Sequence, residues 1–165
     1  MVAYLGLGSN VGDRLAHLRA AVDLLQSSDD VRVVSCSSVY ETDPVGEILD
    51  QRDFYNAVVA VETELEAHAL LDACKRIERE LGREPGGPRH APRPIDVDLL
   101  IADDLAVADE RLVLPHPELA NRRFVLTPLA EIEPGLALPD GRTVEQALAT
   151  LEDQRVDRVE ELRRS

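Results

Sequence analysis

The chain has 165 residues, 18 Lys and Arg against 32 Asp and Glu, and a formal net charge of −14. That length fits about one domain, which can bury roughly two-thirds of its unfolded surface without disulfides or a structural metal. With 44% apolar and 30% charged residues, wholesale disorder is excluded, and the charge of −14 argues against general nucleic-acid binding, whose phosphate contacts need a basic surface.

No apolar run reaches the ~18 residues of a membrane span, and Met1–Leu5 lacks the basic start of a signal peptide. A cytoplasmic protein is expected, with Cys36 and Cys74 as buried free thiols.

In chain order, Val2–Gly8 predicts a strand. Ser9–Asp13 predicts a turn, with Asp13 as N-cap of a helix Arg14–Gln26 carrying Leu15, Leu18, Val22 and Leu25 at helical spacing. The β-branched stretch Val31–Glu41 predicts one strand, and Thr42–Asp53, with Pro44 and Gly46, a long loop. Phe54–Thr63 predicts a strand. Glu66–Leu81 predicts a helix with Leu70, Cys74, Ile77 and Leu81 on one face and Gly82 ending it. Gly82–Pro94 is too rich in Gly and Pro for regular structure, and Ile95–Ala102 predicts a strand. The order is β-α-β-β-α-β, the ferredoxin-like order of an antiparallel sheet. Beyond it come a hairpin across Asp103-Asp104, helical turns from Pro117 to Glu131, and a helix Thr143–Leu151. The domain is expected to span 1–151. Residues 152–165 form a charged tail, read as a solvated or frayed helix, with a partner-binding stripe at Val156, Val159 and Leu162 as the alternative.

Chemistry concentrates in Ile95-Asp96-Val97-Asp98-Leu99-Leu100-Ile101. Strand alternation buries Ile95, Val97, Leu99 and Ile101 together and sends Asp96 and Asp98 to the other face, their Cβ atoms about 6.5–7 Å apart. Two carboxylates so placed repel unless a cation sits between them, and hard cations such as Mg²⁺ suit them. Just before them stand Arg83, Arg89, His90 and Arg93, opposed only by Glu84. Metal-seeking carboxylates beside phosphate-seeking guanidiniums are the parts of a nucleotide-phosphate site.

Gly6-Leu7-Gly8-Ser9-Asn10-Val11-Gly12 lacks the third glycine of a dinucleotide fingerprint, so its glycines are read as serving a tight strand-to-helix turn, or else a loop over a substrate. Phe54 and Asn56 share a strand face. They are either ordinary core positions or an aromatic plate beside an amide that can read a flat heterocycle, with Phe124 as a second plate. His116, between Pro115 and Pro117, is either part of a plain helix-start turn or a phosphate donor, with Arg122 and Arg123 following.

The motifs Gly6–Asn10, Ser38–Thr42, Asp53–Ala57, Arg89–Leu100 and Pro115–Pro117 fall in one order, across residues 2 to about 140. Together they resemble the 6-hydroxymethyl-7,8-dihydropterin pyrophosphokinase family of folate synthesis. The Arg89-His90-Ala91-Pro92-Arg93-Pro94-Ile95-Asp96-Val97-Asp98 stretch is the most specific of them.

The resemblance implies a three-layer α/β/α elaboration of the ferredoxin-like order. It implies transfer of the β,γ-pyrophosphoryl group of ATP to the hydroxymethyl of the dihydropterin, leaving AMP. By it, Asp96 and Asp98 hold two Mg²⁺ ions on the triphosphate, and Asp98 also helps take the hydroxyl proton. Arg83 and Arg93 neutralise the phosphates, and Arg89, Arg111, His116 and Arg122 are further ATP contacts. Phe54 and Phe124 sandwich the pterin, Asn56 reads its edge, and Thr42 and Val45 offer backbone groups. Loops near 9–14, 43–53 and 83–94 close over the substrates. ATP and the dihydropterin are the expected partners of a monomer.

This sequence departs from the family pattern at His90, where Trp is usual, at Pro85, where many members have Arg, and at Lys75, which replaces a commonly neutral residue. Two rivals remain: a ferredoxin-like binding module without catalysis, and another phosphotransferase whose acceptor is not a flat ring.

Overall fold

The computed structural model describes residues 1–42, 53–82, 94–151 and 156–162. Its centre is a six-stranded sheet in which every pairing is antiparallel. The strands are β1 (Val2–Ser9), β2 (Val31–Cys36), β3 (Ser38–Thr42), β4 (Phe54–Thr63), β5 (Asp96–Ala102) and β8 (Val156–Glu161). The order is β5-β1-β4-β3-β8, with β2 also beside β4. Helices α1 (Arg14–Ser27) and α2 (Ala67–Glu80) cover one face, and α3 (Arg123–Ile132) and α4 (Val144–Ala149) cover the other. This is the expected three-layer arrangement.

Alternation along the central strands builds two cores. Leu5 and Leu7 of β1 and Val59 and Val61 of β4 meet Leu18, Leu25, Leu70 and Cys74. Val58 and Ala60 of β4, with Tyr4, meet Leu126, Leu129, Val144 and Ala147. The Asp13 side chain accepts the Ala16 N–H at 3.0 Å, capping α1 as expected. Gly82, at φ +96°, ends α2 in a conformation that favours glycine. Neither cysteine is in a disulfide. Burial pushes the Cys74 thiol up to about 12, while Cys36 is only half-buried.

Several expectations are corrected. The stretch Val31–Glu41 is two strands, because two extra residues enter opposite β4. One extra residue lies between Val33 and Ser35. The other is at Ser37, whose hydroxyl takes the Val58 N–H at 2.9 Å in place of a ladder carbonyl. Ile101 does not share the face of Leu99. The β1–β5 register shifts between Tyr4 and Leu5, so Leu100 and Ile101 both pack against the α3 layer.

No hairpin folds across Asp103-Asp104. Asp103 instead turns back onto β1, accepting the Val2 N–H at 3.0 Å and donating its own N–H to the Val2 carbonyl. The hairpin comes later, between β6 (Val107–Ala108) and β7 (Val113–Leu114). Gly6 and Gly8 lie within β1, and the turn glycine is Gly12, at φ +66°. The tail is not a helix over 156–161. It is β8, paired with β3 and held by Arg19 of α1, which donates to the Leu162 and Glu161 carbonyls, both at 3.1 Å. The main sheet therefore continues past the boundary expected at residue 151.

Candidate functional site

One cleft opens on the α3 side of the sheet, with about 720 Å³ of empty space including its mouth. Its floor comes from three adjacent strands, and β1 in the middle decides its shape. Gly8 pairs with Asn56 of β4 on one side and Asp96 of β5 on the other, and Gly6 pairs with Val58 and Asp98. A Cβ on Gly8 would stand 2.9 Å from Asn56 Oδ1, and one on Gly6 would reach van der Waals contact with Leu100 at 3.4 Å. The two glycines therefore leave open floor between an acidic strand and an aromatic-amide strand.

At the acidic end, Asp96 is buried and Asp98 exposed, both lining the cleft. Glu78 of α2, itself only 3% exposed, accepts the N–H of Val97 between them at 2.8 Å and pairs with Lys75 at 3.2 Å. Because β5 is an edge strand, this carboxylate satisfies an amide that no strand reaches. His116 donates its own N–H to the Leu100 carbonyl at 2.7 Å and accepts the Glu118 N–H on Nδ1 at 3.1 Å. Burial pushes its pKa down; the nearby Asp98 charge opposes the shift and Arg122 adds to it. Arg122, at the start of α3, lies 5.5 Å from the centre of the Phe124 ring.

At the other end stand Phe54, Asn56, Thr42 and Phe124. The Asn56 amide donates to the Thr42 hydroxyl across the β3–β4 pair, which orients the amide and leaves its carbonyl oxygen toward Gly8.

The structure thus brings together Thr42, Phe54, Asn56, Asp96, Asp98, His116, Arg122 and Phe124. Arg111 stands apart, on the β6–β7 hairpin, where it pairs with Asp72 of α2. Val45, Arg83, Arg89, His90 and Arg93 lie outside the described residues. The sequence reading missed Glu118, Leu119 and Val125 in the wall, Glu78 behind the floor, and the role of the two glycines. Gly6 and Gly8 sit two apart in a strand, which already places both on one face. Glu78 is a charge beside the apolar stripe of an otherwise amphipathic helix. The wall residues carry no such signal.

The donor set fits Mg²⁺ in kind. Asp96 and Asp98 supply hard carboxylate oxygens, and a cation of this sort completes its shell with water and substrate phosphates. Among the described residues, no group of three or more His, Cys, Asp and Glu forms an all-protein cage.

A family model described as 7,8-dihydro-6-hydroxymethylpterin-pyrophosphokinase (HPPK) matches residues 4–134. A protein of Methylorubrum extorquens named 2-amino-4-hydroxy-6-hydroxymethyldihydropteridine pyrophosphokinase is 50% identical over 158 residues, covering 96% of this chain and 98% of that one. A Bacillus subtilis protein of the same name is 47% identical over 131 residues, 79% of this chain and 77% of that one. Among solved structures, Plasmodium falciparum wild-type HPPK-DHPS with pterin and p-hydroxybenzoate matches 90% of this chain with a TM-score of 0.70 at 17% identity. This chain spans 41% of that longer chain, and the likeness shows the fold alone.

Proposed function

The chain belongs to the 7,8-dihydro-6-hydroxymethylpterin-pyrophosphokinase family, and from that premise we propose how its own residues divide the work. It is an ATP-dependent diphosphotransferase of folate synthesis that moves the pyrophosphoryl group of ATP to 6-hydroxymethyl-7,8-dihydropterin.

In our reading the hydroxymethyl oxygen attacks the β-phosphorus of ATP. The bond from that phosphorus to the α,β-bridging oxygen breaks, and AMP leaves. The pterin sits at the Thr42–Phe54–Asn56–Phe124 end. Asn56 offers its carbonyl oxygen to the ring edge, and the two Phe rings take its faces. The triphosphate sits at the Asp96–Asp98–His116–Arg122 end, with Arg122 donating to phosphate oxygens and His116 donating from Nε2. Arg83, Arg89 and Arg93 add positive charge there, while Arg111, held by Asp72 away from the cleft, takes no part. Val45 offers a backbone group to the pterin. Asp98, the more exposed carboxylate, takes the hydroxyl proton.

Asp96 and Asp98 would hold two Mg²⁺ ions, which when bound neutralise charge on the attacking and leaving oxygens. We read the chain as one catalytic domain, a cytoplasmic monomer with no nucleic-acid partner. Its net charge of −14 supports the last point, and no described helix is long and apolar enough to cross a membrane.

The observation that carries this reading is that paired carboxylates and an aromatic-amide end line one cleft, separated by the bare floor at Gly8. The test mixes the protein with ATP, Mg²⁺ and the hydroxymethyldihydropterin and identifies the nucleotide product. AMP is expected, and its formation should be lost with EDTA. Asp96→Asn and Asp98→Asn should each fold normally and lose most turnover, because relieving carboxylate repulsion does not harm the fold. ADP as product would refute the transfer, and wild-type turnover in both variants would refute the metal assignment.

A further inference from the structure

Arg14 is the first residue of α1, where a positive charge opposes the helix dipole, yet its side chain is only 13% exposed. It is gripped from three directions. Nη1 donates to Glu41 Oε2 at 3.1 Å and to the Asp53 carbonyl at 2.8 Å. The guanidinium carbon lies 3.8 Å from the centre of the Tyr55 ring.

These three partners interleave with the cleft residues. Glu41 precedes Thr42, Asp53 and Tyr55 flank Phe54, and Tyr55 precedes Asn56. In the β3–β4 ladder Glu41 faces Tyr55, and Thr42 faces Phe54. Alternation sends the side chains of Glu41 and Tyr55 to the α1 face of the sheet and those of Thr42, Phe54 and Asn56 to the cleft face. Whatever fixes the first set from behind fixes the spacing and tilt of the second.

We propose that Arg14 is a positioning residue for the pterin end of the cleft, acting through the sheet from the opposite face. It ties the end of β3 to the start of β4 at the point where Thr42, Phe54 and Asn56 converge. Among the described residues, β5 and the 116–122 segment, which carry the phosphate end, share none of these hydrogen-bond, ion-pair or ring contacts. A planar guanidinium is required, because one group must stack on Tyr55 while donating to both a carboxylate and a carbonyl. A lysine ammonium offers no flat face. The proposal rests on the reading that Thr42, Phe54 and Asn56 take the pterin.

The test compares Arg14→Met, Arg14→Lys and Asn56→Ala with wild type, measuring KM for the dihydropterin, KM for ATP, kcat and the thermal midpoint. For Arg14→Met, we expect the pterin KM to rise about tenfold, less than the loss a full ångström of misplacement can bring, with the ATP KM within about twofold of wild type. Arg14→Lys should recover only part of the loss. If Arg14→Met does not fold, Arg14→Lys and Glu41→Gln carry the same comparison. An unchanged pterin KM in the Arg14 variants, alongside a raised one in Asn56→Ala, overturns the positioning role. Equal rises in both KM values, following the fall in thermal midpoint, also overturn it and leave a merely structural role. If Asn56→Ala leaves the pterin KM unchanged, the assignment of the pterin end fails instead, and the Arg14 role falls with it.

Discussion

His116 accepts the Glu118 N–H on Nδ1, so its own proton sits on Nε2 and the ring is a neutral donor. Burial holds its pKa below the ordinary histidine value. Above the ordinary value of about 6.5 the ring is neutral in both folded and unfolded chains, and it contributes no slope. As pH falls through that value, the unfolded chain takes up a proton that the folded chain resists, and stability is lost until the folded pKa is reached. In metal-free protein, His116→Gln should therefore show a shallower loss of stability than wild type as pH drops from about 7 to 5. Urea midpoints measured across that range check it, and parallel profiles would show that His116 is not the group concerned. Gln carries no charge at any pH in that range, so the comparison reads the titration of the ring.

The strand β3 is short, and its hold on α3 depends on one carboxylate. Glu131 accepts the Ser38 N–H at 2.9 and 3.0 Å, the Ser38 hydroxyl at 2.9 Å and the Tyr40 hydroxyl at 2.6 Å. Arg158 of β8 donates to the same Ser38 hydroxyl at 3.0 Å. Burial first, and then the Glu131 bond, push the Tyr40 phenol well above its usual range. Glu131→Ala strands a buried amide and a largely buried phenol, and should cost about 2 kcal/mol by denaturant unfolding. Glu131→Gln should cost less, since it keeps an acceptor. A loss under about 0.5 kcal/mol for the alanine variant, the range of an ordinary surface change, would show that water replaces the carboxylate without penalty. The same element shows what local sequence conceals. Val31–Glu41 is continuously strand-like in composition, and the break at Ser37 exists because one extra residue enters there opposite β4.

Across the whole molecule, 14 net negative charges repel one another and also repel a polyphosphate ligand. Raising ionic strength from about 0.01 to 0.15 M shortens the Debye length from about 30 to 8 Å, which screens the long-range repulsion while leaving close buried contacts nearly intact. The thermal midpoint of the unliganded protein should rise over that range. A fall would mean that exposed ion pairs such as Arg32–Glu62 and Arg111–Asp72 outweigh the net repulsion. With a net charge of −14, any site for an anion has to gather its cations locally, and Arg122 is one that lines the cleft beside Asp98 and His116.

What the sequence determined by itself is local in origin. Helical spacing and an N-cap set α1, apolar spacing and Gly82 set α2, and alternation put Asp96 with Asp98 and Phe54 with Asn56 on shared faces. Each follows from a period or a cap that neighbouring residues carry. The order β-α-β-β-α-β then fixed an antiparallel sheet. Only the tertiary structure decided the rest, because the deciding partner lies far along the chain. The outer edge of β3 draws residues 156–161 into a strand although their spacing reads as helical. The register shift against β1 turns Ile101 to the opposite face from Leu99. Gly6 and Gly8 become cleft floor because β4 and β5 close in on both sides of β1. A chain's periodicity states which way each side chain points within its own element. Which residues meet there depends on pairings that no single element contains.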